Sequence, residues 1–209
     1  MNEFSDCHRL DRRRQAILDA ARELFISKGY EQTTLGDVVD AAGGSLSTLY
    51  KLFGNKDGLL DAVVFATVTS GAELIRQIVE EEPDPAKALR RIAYGLYDKH
   101  LGAEAIALVR IVIAHSIRDK VFAERFFTTT ALRSRDAVES ALRKWQADGV
   151  KFVGHPSDLA DMFMGLMVAD MQNQAISHGM KGIVDDAGIA FRVEFFLRGA
   201  GLWRAEPAS

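Results

Sequence analysis

Ser45, Ser47, Thr48, Tyr50 and Lys51 alternate with apolar residues in the segment SLSTLYKLF, directly after the double glycine Gly43-Gly44. Hydroxyls, a phenol and an ammonium at that density suit hydrogen bonding to phosphates and base edges. Small hydroxyls reach into a groove without holding a helix away from it, and Lys51 adds a phosphate contact. At about 100° per residue, Leu46, Leu49, Tyr50 and Phe53 gather on one side of a helix and Ser47, Thr48 and Lys51 on the other. The first side is expected to pack and the second to meet a partner. A plain helical hairpin with a solvated face is the competing reading, and the wheel alone does not separate the two.

The elements that must position these residues are helical. Thr34 is placed to cap a helix whose apolar stripe Leu35, Val38, Val39 and Ala42 follows i, i+3, i+4, i+7 spacing. Gly43-Gly44 ends it, and Ser45 is placed to cap the next. Two short helices across a tight glycine turn form the helix-turn-helix pattern, whose second helix enters the DNA major groove. Elsewhere apolar residues also recur at helical spacing, and no alternating run argues for a strand, so the fold class is all-α. About nine helices are predicted. The first runs from Asp11 to Ser27, the second from the Thr34 cap to Ala42, and the third from the Ser45 cap to Phe53. A long fourth runs from Lys56 to Glu82 after an Asn55 cap. Beyond the break EEPDPAK follow Pro85 to Leu101, Ala103 to Ile117, Asp119 to Asp148, Ser157 to His178 and Val184 to Trp203.

The 209 residues carry 26 Lys and Arg against 29 Asp and Glu, a formal net charge of −3. The molecule as a whole is therefore no polyelectrolyte partner for nucleic acid, and any such binding must come from a local face. Positive charge clusters at Arg9, Arg12, Arg13 and Arg14 and again at Lys51 and Lys56; taken alone, such runs usually only solvate a helix. Cys7 is the only cysteine, which excludes an intramolecular disulfide and a thiolate metal cluster. The polar start MNEFSDCHRLDRRRQ does not read as a signal peptide, and the apolar run Ala103 to Ile117 is broken by Glu104, Arg110 and His115. The expectation is a soluble cytoplasmic protein with no membrane partner, no cofactor and no metal. An enzyme is disfavoured by the lack of nucleophile–base spacing, a glycine-rich phosphate loop or an HExxH pattern.

The stretch AILDAARELFISKGYEQ followed by TTLGDVVDAAGGSLSTLYKLFGNKDGLL resembles the TetR/AcrR family of transcriptional regulators. Ala20, Ala21, Phe25, Gly29, Tyr30, Thr33, Thr34, Ala41, Ala42, Gly43, Ser45, Thr48, Leu49, Tyr50, Phe53, Lys56, Asp57, Leu59 and Leu60 fall in step with its signature. The resemblance covers the first quarter to third of the chain. It implies a helix-turn-helix DNA-binding domain of three helices over residues 1–55 and a larger helical domain for effector binding and dimerisation over 56–209. It also implies that Thr34, Tyr50 and Lys56 hold phosphates while Ser45, Ser47, Thr48 and Lys51 face the groove. Three departures stand out. Relatives often carry valine at Gly44, a polar or basic residue at Leu46 and histidine at Leu52. Gly44 is expected to loosen the turn, and Leu46 and Leu52 either meet thymine methyls or bury.

The remaining helices are read from their own residues. The segments DLADMFMGLMVADM and FRVEFFLRGAGLW carry surplus apolar residues, and Phe163, Leu166, Met167, Phe195, Phe196 and Leu202 are expected at a dimer seam, with an ordinary core as the alternative. Arg110 and His115 interrupt an otherwise apolar segment and each needs a partner, either a protein carboxylate or a ligand. Tyr94, Tyr97, His100 and Trp145 are taken as lining the same space. The function expected is a ligand-responsive transcriptional regulator, a homodimeric repressor that binds an operator in double-stranded DNA and is released by a small apolar or aromatic effector. An architectural DNA binder without effector is the alternative.

Overall fold

The computed structural model describes residues 3–68, 71–100, 102–180 and 184–203, and the helices found there are α1 Glu3–Ser27, α2 Leu35–Ala42, α3 Leu46–Phe53, α4 Lys56–Val68, α5 Gly71–Glu81, α6 Pro85–His100, α7 Ala103–Arg118, α8 Lys120–Phe126, α9 Leu132–Ala147, α10 Pro156–Ile176 and α11 Asp186–Gly199. Among the described residues there is no strand. Where one fourth helix was expected, the described residues hold α4 and α5, and where one seventh was expected they hold α8, a π-helical turn Phe127–Ala131 and α9; each of the other expected helices has one counterpart there. Most boundaries shift by one or two residues, and the start of α1 and the end of α11 shift by more. Helix α1 begins at Glu3, eight residues before the expected Asp11, because the intervening polar residues carry no helix breaker. Helix α11 is shorter than expected at both ends: Asp185 accepts from Gly188 N to cap it, and Gly201 at φ +73 turns the chain, with Leu202 N donating back to Leu197 O at 2.8 Å.

The chain divides into two compact units, residues 1–68 and 69–209. In the first, Ile17, Leu18, Ala21 and Phe25 of α1 are buried together with Val38 and Val39 of α2, Leu49 of α3 and Leu59, Leu60, Val63 and Val64 of α4. Helix α4 thus completes the core of this unit, so the division falls after residue 68, where the sequence had suggested 55. Gly29 at φ +90 stops α1, and buried Thr33 bonds the Gly29 carbonyl at 2.8 Å. Asn55 caps α4 by accepting from Gly58 N at 2.7 Å, and a Cβ at Gly58 would stand 2.1 Å from the Phe53 carbonyl oxygen. Glycine is required there because the opposing atom is backbone.

The second unit packs α5, α6, α9, α10 and α11 around one core that includes Ile75, Leu89, Ile92, Val138, Leu142, Trp145, Phe163 and Leu197. Arg135 of α9 ties that helix to α10 through Asp161 at 2.7 Å and Ser157 Oγ at 2.8 Å, and bonds Glu139 on its own helix. The π-helical turn follows from FTTTA: the Thr128, Thr129 and Thr130 hydroxyls donate to carbonyls of the preceding turn, at Glu124, Arg125 and Phe126, and compete with the amides for those acceptors. This widening was not foreseen in what reads as one long helix. Phe163, Met167, Phe196 and Leu202, expected at a dimer seam, belong to this core and are at most 8% exposed. The alternative reading holds for these four, since the apolar stripe of α10 and α11 that faces α6 and α9 has no surplus. Leu166 is half-buried and Phe195 is exposed.

Candidate nucleic-acid interface

Helix α2 starts with a reciprocal cap. Thr34 Oγ1 accepts from Asp37 N at 3.1 Å, and Asp37 Oδ2 accepts from Thr34 N at 2.8 Å. Lys28 Nζ lies 2.6 Å from the same carboxylate, and chiefly this ammonium, with the two Thr34 groups, holds Asp37 down to about 2. The cap leaves the Thr34 hydroxyl hydrogen available at an exposed position.

Helix α3 is capped by Ser45, whose Oγ accepts from Thr48 N at 3.2 Å and lies 3.0 Å from Thr48 Oγ1. Over its eight residues only Leu49 is fully buried, while Leu52 and Phe53 are half-buried. Ser45, Leu46, Ser47, Tyr50 and Lys51 are exposed and Thr48 is partly so. Two expectations are corrected. Tyr50 is 53% exposed and Leu46 44% exposed, so neither packs as the wheel suggested; a two-turn helix anchored at its centre leaves flanking residues of the same side outside. Leu46 is thereby available to an apolar contact such as a thymine methyl.

The turn before α3 is not loose. Gly43 and Gly44 adopt φ +74 and +99, which favour glycine, and Arg13 of α1 donates from Nη1 to the Ala42 carbonyl at 3.1 Å. A Cβ at Gly44 would fall 1.5 Å from Arg13 Nη2, so the guanidinium occupies the space a side chain would take. At the other end of α3, the Arg14 guanidinium lies 5.6 Å from the Phe53 ring centroid. Arg13 therefore fastens α1 to the end of α2 and the turn that follows it, and Arg14 lies against the end of α3, roles the charge run did not reveal.

Lys56, at the first turn of α4, has its Nζ 4.4 Å from the Tyr30 ring centroid and donates to the Glu31 carbonyl at 3.1 Å. Tyr30 is itself set edge-on to Phe25 at 5.1 Å and donates its hydroxyl to Asp57. The structure thus gathers the expected residues in one unit: Thr34 at the start of α2, Ser45, Ser47, Thr48, Tyr50 and Lys51 along α3, and Lys56 at the start of α4.

The residues expected around an effector do not share one lining. Trp145 is core. Tyr97 is buried and donates to Asp170 Oδ2 at 2.7 Å, with Arg192 bonded to both; burial raises the phenol's pKa, and the Arg192 charge opposes this. Tyr94 is exposed, 3.5 Å from the Asp186 carbonyl. The side chain of His100 lies outside the described residues. Arg110 Nε donates to the Ala175 carbonyl at 3.0 Å, so its recorded partner is the C-terminal turn of α10 rather than the carboxylate expected. His115 is buried edge-on to Phe122, at 4.7 Å between centroids, with Nε2 4.0 Å from Asp119 Oδ2. A groove of about 450 Å³ opens where Met162, Leu166 and Ala169 of α10 face Arg192 of α11, with Asp170 and Gln174 at its wall. Its lining includes none of the residues expected around an effector, although Tyr97 reaches it through Asp170; Leu166, expected at the dimer seam, lines it. Asp170, Gln174 and Arg192 were missed, although buried polar residues within VADMQNQA signal a paired group.

Comparison with known proteins places this geometry. Residues 17–63 match the model for bacterial regulatory proteins of the tetR family, and residues 87–198 match the C-terminal domain of AefR-like transcriptional repressors. Over 51 residues the chain is 51% identical to the transcriptional repressor ComR of Escherichia coli K12, a stretch that is 24% of each chain, so this relative speaks for about a quarter of its own length. A crystal structure described as a TetR-family transcriptional regulator from Mesorhizobium loti superimposes with a TM-score of 0.79 at 25% identity, covering 91% of this chain and 97% of that one. The SmeT–triclosan complex superimposes at 0.73 with 20% identity, covering 94% and 99%, which shows the shared fold.

Proposed function

The chain belongs to the TetR family of bacterial regulatory proteins, DNA-binding transcriptional regulators and not enzymes, and from that premise we propose that it is a cytoplasmic homodimeric repressor that leaves its operator when a small apolar or aromatic molecule binds the second unit. The observation that carries the DNA-binding part is α3 itself: one buried anchor, Leu49, beneath an exposed row of Ser45, Leu46, Ser47, Tyr50 and Lys51. Such a helix can lie in a major groove with its hydroxyls at base edges, while Thr34, Tyr50 and Lys56 hold flanking phosphates.

Dimerisation rests on the exposed apolar residues of α10 and α11. Met162, Phe191 and Phe195 are each more than 60% exposed, and the last two stack at 6.2 Å. A two-fold copy packed on that face gives the assembly two recognition helices, one for each of two successive major grooves, which lie about 34–36 Å apart. Release then needs only a ligand that binds more tightly to a state in which this spacing no longer fits. The apolar effector class is supported by the Met- and Leu-lined groove at α10 and by the fold shared with SmeT, whose complex holds triclosan. The test is selection of a duplex from random DNA, followed by titration with aromatic compounds that raise the protein's melting temperature. Hits that leave the DNA affinity unchanged would leave only the architectural alternative.

A further inference from the structure

We infer that Arg13 is a positioning residue for DNA recognition, which sets the entry of α3 by occupying the seat that Gly44 leaves open. The inference rests on the reading of α3 as the recognition helix. Three observations converge on it. The Arg13 guanidinium donates to the carbonyl of Ala42, the last residue of α2. That carbonyl lies at the negative end of its helix, where a cation is favoured. The same guanidinium covers Gly44 so closely that any Cβ there must displace it, the nearest separation being 1.5 Å. Gly44 stands at φ +99, a conformation that a β-branched residue adopts only under strain.

These facts link the missing side chain at Gly44 to the arginine that covers it. A side chain at Gly44 would fill the corner between α2 and α3 by itself; its absence lets an arginine from α1 fill it instead. The corner is then held by a charged hydrogen bond from a third helix, and the Ser45 cap that begins α3 follows immediately. Because Ser45, Leu46 and Ser47 are the first residues of the groove-facing row, a small rotation of the corner moves all three against base edges. Phosphate contacts at Tyr50 and Lys56 lie beyond the corner and tolerate it better. Arg13 therefore acts on discrimination between sequences and not on general affinity for DNA.

The experiment compares wild type, Arg13→Met, Arg13→Lys and Gly44→Ala on two probes: the duplex that the wild-type protein selects from a random pool, and a scrambled duplex of equal length and composition. Arg13→Met and Gly44→Ala should each lose about tenfold on the selected duplex and less than about twofold on the scrambled one, with the salt slope unchanged. Arg13→Lys keeps a charged donor for Ala42 and should recover most of the discrimination. Circular dichroism and melting confirm that each variant is folded, and a variant that does not fold is replaced by Arg13→Gln. The inference is overturned if Arg13→Met weakens both duplexes equally and lowers the salt slope by about one ion, which is the behaviour of a phosphate contact. It is also overturned if Arg13→Lys is no better than Arg13→Met, or if both bind as wild type. A wild-type protein that selects no duplex would instead remove the recognition-helix reading.

Discussion

Lys56 and Tyr30 form a cation–π pair, with the ammonium 4.4 Å from the ring centroid and a further bond from Nζ to the Glu31 carbonyl. The ammonium is thus held in a fixed place at the start of α4 before any DNA arrives, so little side-chain entropy is lost when a phosphate meets it. Tyr50, by contrast, projects freely from α3.

Lys56→Ala and Tyr50→Phe should both weaken binding to selected and random duplexes alike, and Lys56→Ala should flatten the plot of log affinity against log salt by about one ion. Ser47→Ala and Thr48→Ala should change preference among sequences more than overall affinity. Titration by fluorescence anisotropy at four salt concentrations checks both. A Lys56→Ala protein that binds as tightly as wild type removes Lys56 from the interface.

Assembly is tested at α11. Phe195→Glu alters a residue 68% exposed and should change monomer stability by no more than about 0.5 kcal/mol. Light scattering should nevertheless report monomers, with loss of high-affinity operator binding, because one recognition helix reads only a half-site. Phe163→Glu does not serve this test: a charge at this fully buried core position would unfold the unit.

Arg110→Met removes a charged donor from the Ala175 carbonyl and should destabilise the second unit by about 1–2 kcal/mol without ligand. His115→Ala opens space beside Phe122 and is the better probe of effector binding. A compound whose thermal shift persists unchanged in His115→Ala does not contact that side chain.

Acid should loosen the cap of α2. The Asp37 carboxyl is lowered from 3.8 to about 2 by Lys28 and Thr34, so its contribution is fully present above pH 4 and is lost as pH falls through the folded value. Between pH 4 and 2 the wild type should lose stability more steeply than Asp37→Asn, in which that position no longer titrates. Parallel melting curves over this range would remove the cap from the acid response.

How far the sequence reads depends on the range of the interactions. Thr34, Ser45 and Asn55 were legible as caps because capping is settled within three residues. The helices followed from spacing alone. What escaped were pairings across long sequence intervals: Arg13 with Ala42 and Tyr97 with Asp170 carry no local signature. The wheel misplaced Tyr50 and Leu46 because a two-turn helix pinned by Leu49 does not bury a full stripe. Core and exposed residues of α10 could not be separated, since Phe163 and Met162 are adjacent and both apolar, and only the position of the neighbouring helices decides which turns inward.

The bare backbone at Gly58 lets α3 and α4 meet closely at their joint. The Phe53 carbonyl lies where a Cβ would stand, and Asn55 accepts from Gly58 N within the same turn, so the two helices meet there with no side chain between them. A tilt of α4 within its unit is then expected to carry the end of α3 with it, as a crank turns its shaft. A bulkier residue at this one position would pry the crank apart, and the two helices would then answer to different forces.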